Sequence, residues 1–85
     1  AYKTKLDTIA RDVIRGYYGN GNARKENLFK AVQNVVNLKK QGRYYRTNDS
    51  IEYLSTLVIQ GKLGNGETRK NNIYNLVQKR VNELA

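Results

Sequence analysis

Seven carboxylates are the only side chains in this 85-residue sequence suited to general acid–base chemistry, because it contains no Cys and no His. Thiol nucleophiles, disulfide staples and the usual zinc ligand sets are excluded with them. Asp7, Asp49, Glu52, Glu67 and Glu83 fall at expected helix ends, where a carboxylate caps the helix or complements its dipole. Asp12 and Glu26 are lone carboxylates on polar faces. No two of them read as the acid and base of a glycosidase, so no catalytic residue, metal ligand or cofactor site is assigned.

Recognition chemistry is better represented. Gly-Tyr-Tyr-Gly-Asn-Gly at 16–21 and Gly-Lys-Leu-Gly-Asn-Gly at 61–66 read as tight loops, with Gly and Asn supplying positive φ. Each Gly-Asn-Gly, Gly19-Asn20-Gly21 and Gly64-Asn65-Gly66, opens a helix whose first N–H groups suit a carboxylate or phosphate; a plain sharp turn is the alternative. Arg24-Lys25 and Arg69-Lys70, one turn on, add a bidentate donor and a second positive charge. Either arginine could instead pair with Asp7, Asp12 or Glu52 across a helix hairpin. Gln33 with Asn37, and Gln78 with Asn82, are four apart on one helix face, and their amides could bond a sugar or peptide; polar helix surface or capping of the interhelical turn is the alternative. Tyr17 and Tyr18 offer flat faces for stacking in the first loop, where the second has Lys62 and Leu63.

These groups recur because the chain repeats itself. Sliding it by 45 positions aligns 6–40 with 51–85 without a gap, and 13 of the 35 pairs are identical, including Asn27/Asn72 and Val32/Val77. Each copy opens with an amphipathic helix, Leu6, Ile9, Ala10, Val13 and Ile14 in the first and Ile51, Leu54, Val58 and Ile59 in the second. Thr4 with Asp7, and Asp49 with Glu52, read as capping boxes at the helix starts; Gly16 and Gly61 read as left-handed stops. A second helical stretch runs from about Asn22 to Lys39 and from Glu67 to Leu84, unbroken or divided near Phe29 and Tyr74, rings expected to pack inward.

The expected fold is all-α: two tandem short helical repeats of two to three helices each, packed into one small bundle. Residues 1–40 form the first repeat, 41–48 a basic connector that holds residual helix or packs across the junction, and 49–85 the second repeat. A chain this short gains from packing its copies together or from homo-oligomerisation. Formal charge is +9, with 10 basic and 3 acidic side chains in 1–45 against 6 and 4 in 46–85, which favours polyanions or an anionic surface. No apolar run reaches membrane-spanning length, no signal peptide is visible, and the start at Ala1 without Met is that of a processed product or a fragment.

The order Val13-Ile14-Arg15-Gly16-Tyr17-Tyr18-Gly19-Asn20-Gly21, Arg24-Lys25, Val32-Gln33 and Val36-Asn37, echoed by Val58 to Gly66, Arg69-Lys70, Tyr74, Val77-Gln78 and Val81-Asn82, resembles the CW-seven cell-wall-binding repeat found at the C-terminal ends of phage lysozymes and amidases. That resemblance implies a three-helix repeat recognising the sugar-plus-peptide unit of peptidoglycan, with teichoic acid a further wall polymer. It implies a hydrolase domain N-terminal in the same polypeptide, synthesis in the host cytoplasm and action at a Gram-positive wall. Against the family pattern, the segment after Arg-Lys is shortened to Glu26-Asn27-Leu28 and Asn71-Asn72-Ile73, and Leu63 replaces an aromatic. The first copy, with its tyrosines and charge, is expected to make the stronger contacts, the second serving partly as a packing partner. The rival reading, a helical nucleic-acid-binding module, rests on the charge and the connector Lys39–Arg46, and nucleic acid is the less favoured partner.

Overall fold

The computed structural model describes residues 2–85, with side chains from Thr4 onward. Its elements are α1 (Tyr2–Lys5), α2 (Asp7–Ile14), α3 (Gly21–Lys40), α4 (Asp49–Ile59) and α5 (Gly66–Leu84), and no strand occurs among the described residues. Among the described residues no helix is long and apolar enough to cross a membrane.

The second helix of each copy is unbroken. Neither Phe29 nor Tyr74 divides it, because no Gly or Pro lies between Asn22 and Lys40 or between Glu67 and Leu84. Each copy therefore contributes two main helices, and the three-helix repeat implied by the resemblance is corrected on this point. At 1.5 Å per residue, α3 runs about 30 Å and α2 only about 12 Å. The copies exchange partners: α2 packs on α5, α4 packs on α3, and α3 crosses α5, while α2 with α3 and α4 with α5 make at most marginal contact. One core results, built from Leu6, Ile9, Ala10 and Val13, then Leu28, Val32 and Val36, then Leu54, Val58 and Leu63, then Ile73, Val77 and Val81. Burying each larger side chain contributes roughly 1.5–3 kcal/mol. Phe29 and Tyr74 pack against this core as expected.

A hydroxyl from the second copy opens the first helix. In a continuous helix the Ile9 N–H would bond the Lys5 carbonyl; instead Ser50 Oγ donates to Lys5 O at 2.6 Å and accepts from Ile9 N at 3.1 Å. The ladder is broken there, separating α1 from α2, yet both backbone groups are satisfied and the buried hydroxyl is too. Thr4 accordingly lies inside α1, and the N-cap position of α2 falls to Leu6, which has no side-chain cap bond. The second capping expectation shifts by one residue, since Asn48 caps α4, its side chain accepting from Ile51 N at 2.9 Å, and Asp49 is the first helical residue.

Gly16 (φ +94°) and Gly61 (φ +78°) do stop their helices in left-handed turns, with Gly16 N bonded to Val13 O and Tyr17 N to Asp12 O, and the same pair from Gly61 and Lys62. The connector ends α3 the same way at Gly42, then runs irregularly to Asn48. Tyr45 packs it down, its ring 5.6 Å from Lys39 Nζ and its hydroxyl 3.1 Å from Glu52.

Two measurements test this architecture. Cutting an engineered protease site in the connector should leave the halves co-eluting as one species, with a thermal midpoint that now depends on concentration; separated monomers would contradict the exchange. Ser50→Ala should lower stability by about 1–3 kcal/mol in chemical denaturation, since two buried backbone groups lose their shared partner.

Candidate functional site

Gly19 and Gly64 bring each loop back toward the helix it precedes. Their φ values are +74° and +75°, and a Cβ at Gly64 would meet Thr68 Cγ2 at 2.8 Å. Asn20 and Asn65 do not share the positive φ expected of them. Both are extended N-cap residues, φ −128° and −129°, whose side chains make no bond to first-turn N–H groups.

An arginine takes those amides instead. Arg24 donates from Nε to Gly19 O at 3.0 Å and from Nη2 to Asn20 Oδ1 at 3.2 Å, so the guanidinium holds its own loop against α3. Its Nη1 reaches the other copy, donating to Gln78 Oε1 at 2.8 Å, and Gln78 in turn donates to Asn82 Oδ1 at 2.9 Å. Arg69 repeats the set on Gly64 O (3.1 Å), Asn65 Oδ1 (3.1 Å) and Gln33 Oε1 (2.8 Å), and Gln33 donates to Asn37 Oδ1 at 2.8 Å. Each loop is thus completed by amides of the opposite copy. A guanidinium has five N–H groups, and three are engaged per arginine among the described residues.

The alternative in which Arg24 and Arg69 pair with Asp7, Asp12 or Glu52 is overturned, because those carboxylates have other partners. Asp7 bonds Arg80 at 2.6 Å, Asp12 bonds Arg15 at 3.4 Å and Glu52 bonds Lys39 at 2.6 Å. Asp12 and Glu26 are therefore not lone charges, Glu26 being paired with Lys70 at 2.7 Å. Glu83 lies in the last turn of α5, where its charge opposes the dipole, and Arg80 offsets it at 3.2 Å.

The Arg-Lys dipeptides divide their work. Lys25 reaches Asn71 Oδ1 at 3.1 Å and sits 5.3 Å from the Tyr74 ring, while Lys70 pairs with Glu26 and Glu67 and sits 5.5 Å from Phe29. Both lysines serve the crossing of α3 and α5. Of the loop tyrosines, Tyr17 is 73% exposed, whereas Tyr18 packs against the core, where burial, and secondarily the charge of Asp12, pushes its phenol pKa up. Leu63, at the equivalent place, is fully in the core. Asn27 and Asn72 were identified only as repeat identities, yet each donates to a loop carbonyl, Tyr18 O at 3.3 Å and Leu63 O at 3.0 Å. Their conservation between the copies was the available signal.

Three carboxylates joining one copy to the other are held below their ordinary pKa. The cause is a hydrogen bond from Arg80 for Asp7, from Lys70 for Glu26 and from Lys39 for Glu52, each opposed by desolvation. A depressed carboxylate pKa contributes stability above the unfolded-state value and loses it as pH falls through the folded one. The thermal midpoint should therefore be flat near neutrality and fall below about pH 4, and Glu52→Gln should reduce that fall; an unchanged acid limb would contradict the assignment.

The CW_7 repeat family matches residues 7–39 and 52–85. No curated protein matches the chain, and no solved structure does. CW_7 is a binding repeat, not a catalytic one, and suggests a cell-wall-binding role. The two matches take in both loops, both arginines and all four amides of the reciprocal sites: the chain belongs to the CW_7 repeat family.

Proposed function

We propose that this chain is a peptidoglycan-binding module that holds an attached phage or bacterial lytic enzyme on a Gram-positive wall, the hydrolase lying N-terminal in the same polypeptide. The supporting observation is the reciprocal pair of loop, arginine and amide constellations, placed at equivalent positions by the exchanged helices. A muropeptide carries carboxylates, peptide amides and acetamido sugars. The carboxylates suit the guanidinium N–H groups of Arg24 and Arg69 that are not engaged among the described residues, and the uncapped first-turn N–H groups of α3 and α5. The Gln33–Asn37 and Gln78–Asn82 pairs offer amide donors and acceptors beside them, and Tyr17 offers an exposed face for a sugar ring. Lys25, which bonds the neutral Asn71, contributes positive potential from the helix crossing, whereas the charge of Lys70 is met by Glu26 and Glu67.

Purified Gram-positive cell walls, with and without their teichoic acid, should pull down the chain. Arg24→Ala and Arg69→Ala should each weaken that binding, and because each arginine also holds a loop, each should cost about 1–3 kcal/mol of stability. Arg24→Lys keeps the charge and removes the fork, so it should weaken binding while remaining folded by circular dichroism. Full wall binding in all three variants would overturn the site. Labelled DNA titrated at two salt concentrations separates the nucleic-acid reading, which requires a steep salt dependence.

A further inference from the structure

Adjacent tyrosines of the connector have opposite surroundings. Tyr45 is held by Lys39 and Glu52, whereas Tyr44 is 83% exposed. The segment is fixed at its ends, where Arg43 N bonds Leu38 O at 3.0 Å in the turn at Gly42 and Asn48 caps α4. The side chains of Lys40, Arg43 and Arg46, spaced three residues apart, take no part in this. All three are exposed, none forms an ion pair among the described residues, and their one hydrogen bond is a long contact from Arg43 to Gln41 Oε1 at 3.5 Å. Lys39, Lys70 and Arg80, by contrast, each bond a carboxylate of the other copy. No Asp or Glu occurs from Asn27 to Asn48, so nothing within the segment offsets its charge. The next carboxylates along the chain are Asp49, which lines a recess with Lys5 and Tyr53, and Glu52, which Lys39 and Tyr45 already bond. Residues 41–48 also lie outside both aligned copies, so this charge is no by-product of the repeated loop site.

We infer that Lys40, Arg43, Tyr44 and Arg46 form a separate contact surface for a phosphodiester polymer, and that this polymer is the teichoic acid of the wall. Each step of three residues spans at most about 11 Å, so the three cations can meet a row of phosphates rather than one anion. The guanidinium forks match phosphate oxygens bidentately, and Lys40 adds a point charge. Between its phosphates such a polymer carries polyol or sugar units, whose apolar C–H faces suit the exposed ring of Tyr44. Nucleic acid carries phosphates too, but tight binding there draws on many phosphate contacts or on stacked bases, and three cations with one free ring supply neither. The wall supplies the missing strength, because a chain held at its loops meets the polymer at high local concentration and two weak contacts multiply. The inference rests on the wall-binding reading for that local concentration and for the choice of polymer.

The test uses the full chain and three probes: lipid-free poly(glycerol phosphate), single-stranded DNA of equal phosphate number, and purified walls stripped of teichoic acid. Poly(glycerol phosphate) should bind more tightly than the DNA, and its affinity should fall as salt rises. Lys40→Gln, Arg43→Gln and Arg46→Gln combined should weaken it about ten-fold and flatten that salt dependence, with the thermal midpoint and binding to stripped walls unchanged. Tyr44→Ala should weaken it about three-fold. Lys5→Gln, Arg11→Gln and Lys30→Gln combined, which remove the same charge from exposed positions elsewhere, should weaken it far less. Arg24→Lys, a change in the loop site, should leave polymer binding unaltered. Equal losses in the two triple variants would reduce the effect to net charge and overturn the patch, and tighter binding of the DNA would overturn the polymer in favour of nucleic acid. Failure of poly(glycerol phosphate) to bind while stripped walls still capture the chain removes only this inference, whereas polymer binding without capture by stripped walls removes only the loop site.

Discussion

Each short first helix packs on the long second helix of the other copy, and nearly every other feature follows from that exchange. The eight-residue α2 buries one apolar stripe, and it is α5 of the other copy that faces this stripe. The C-terminal halves of α3 and α5 lie beyond the reach of their own copies' loops and are covered by α4 and α2. Asp7 with Arg80 and Glu52 with Lys39 mark the same junction twice, each a first-turn carboxylate bonded to a cation near the far end of the opposing helix.

The polar pairs across this junction set register more than they supply stability. Their carboxylates remain partly solvent-exposed, and ion pairs open to solvent contribute little individually. The shared apolar core carries the energy. What the pairs exclude is a shifted alignment, since sliding one helix by a turn would strand Arg24 from Gln78 and Arg69 from Gln33 together. In the site proposed here recognition comes at little extra structural cost, because the groups that fix the loops are the ones offered to a ligand, and they are held largely on helices.

The near-symmetry also explains how the copies could diverge. With both loops fixed by the same backbone bonds, through Asn27 and Asn72 and through the two arginines, the residues at 17, 18, 62 and 63 are released from holding the turn. Tyr18 and Leu63 both still fill core space, but with different bulk.

Much of this was legible in the amino-acid order. Apolar spacing marked the core positions from Leu6 to Val81 except at Ile14 and Ile59, which end their helices and are left 49% and 46% exposed; Gly16 and Gly61 marked the stops, and the 45-residue offset marked which groups would be equivalent. Local rules were enough there, because helix period and left-handed turns depend on near neighbours. They misplaced the α4 cap by one residue and gave Asn20 and Asn65 a φ that glycine alone adopts here. Ser50 left no mark, since a hydroxyl in a first turn reads as surface until a second helix is brought against it. The pairing of the copies was hidden for a stronger reason. Val32 and Val77, Gln33 and Gln78, and Arg24 and Arg69 are chemically identical partners, so the sequence alone cannot distinguish a contact within a copy from one between copies. The docking of the four main helices on one shared core decided it, and that exists only in three dimensions.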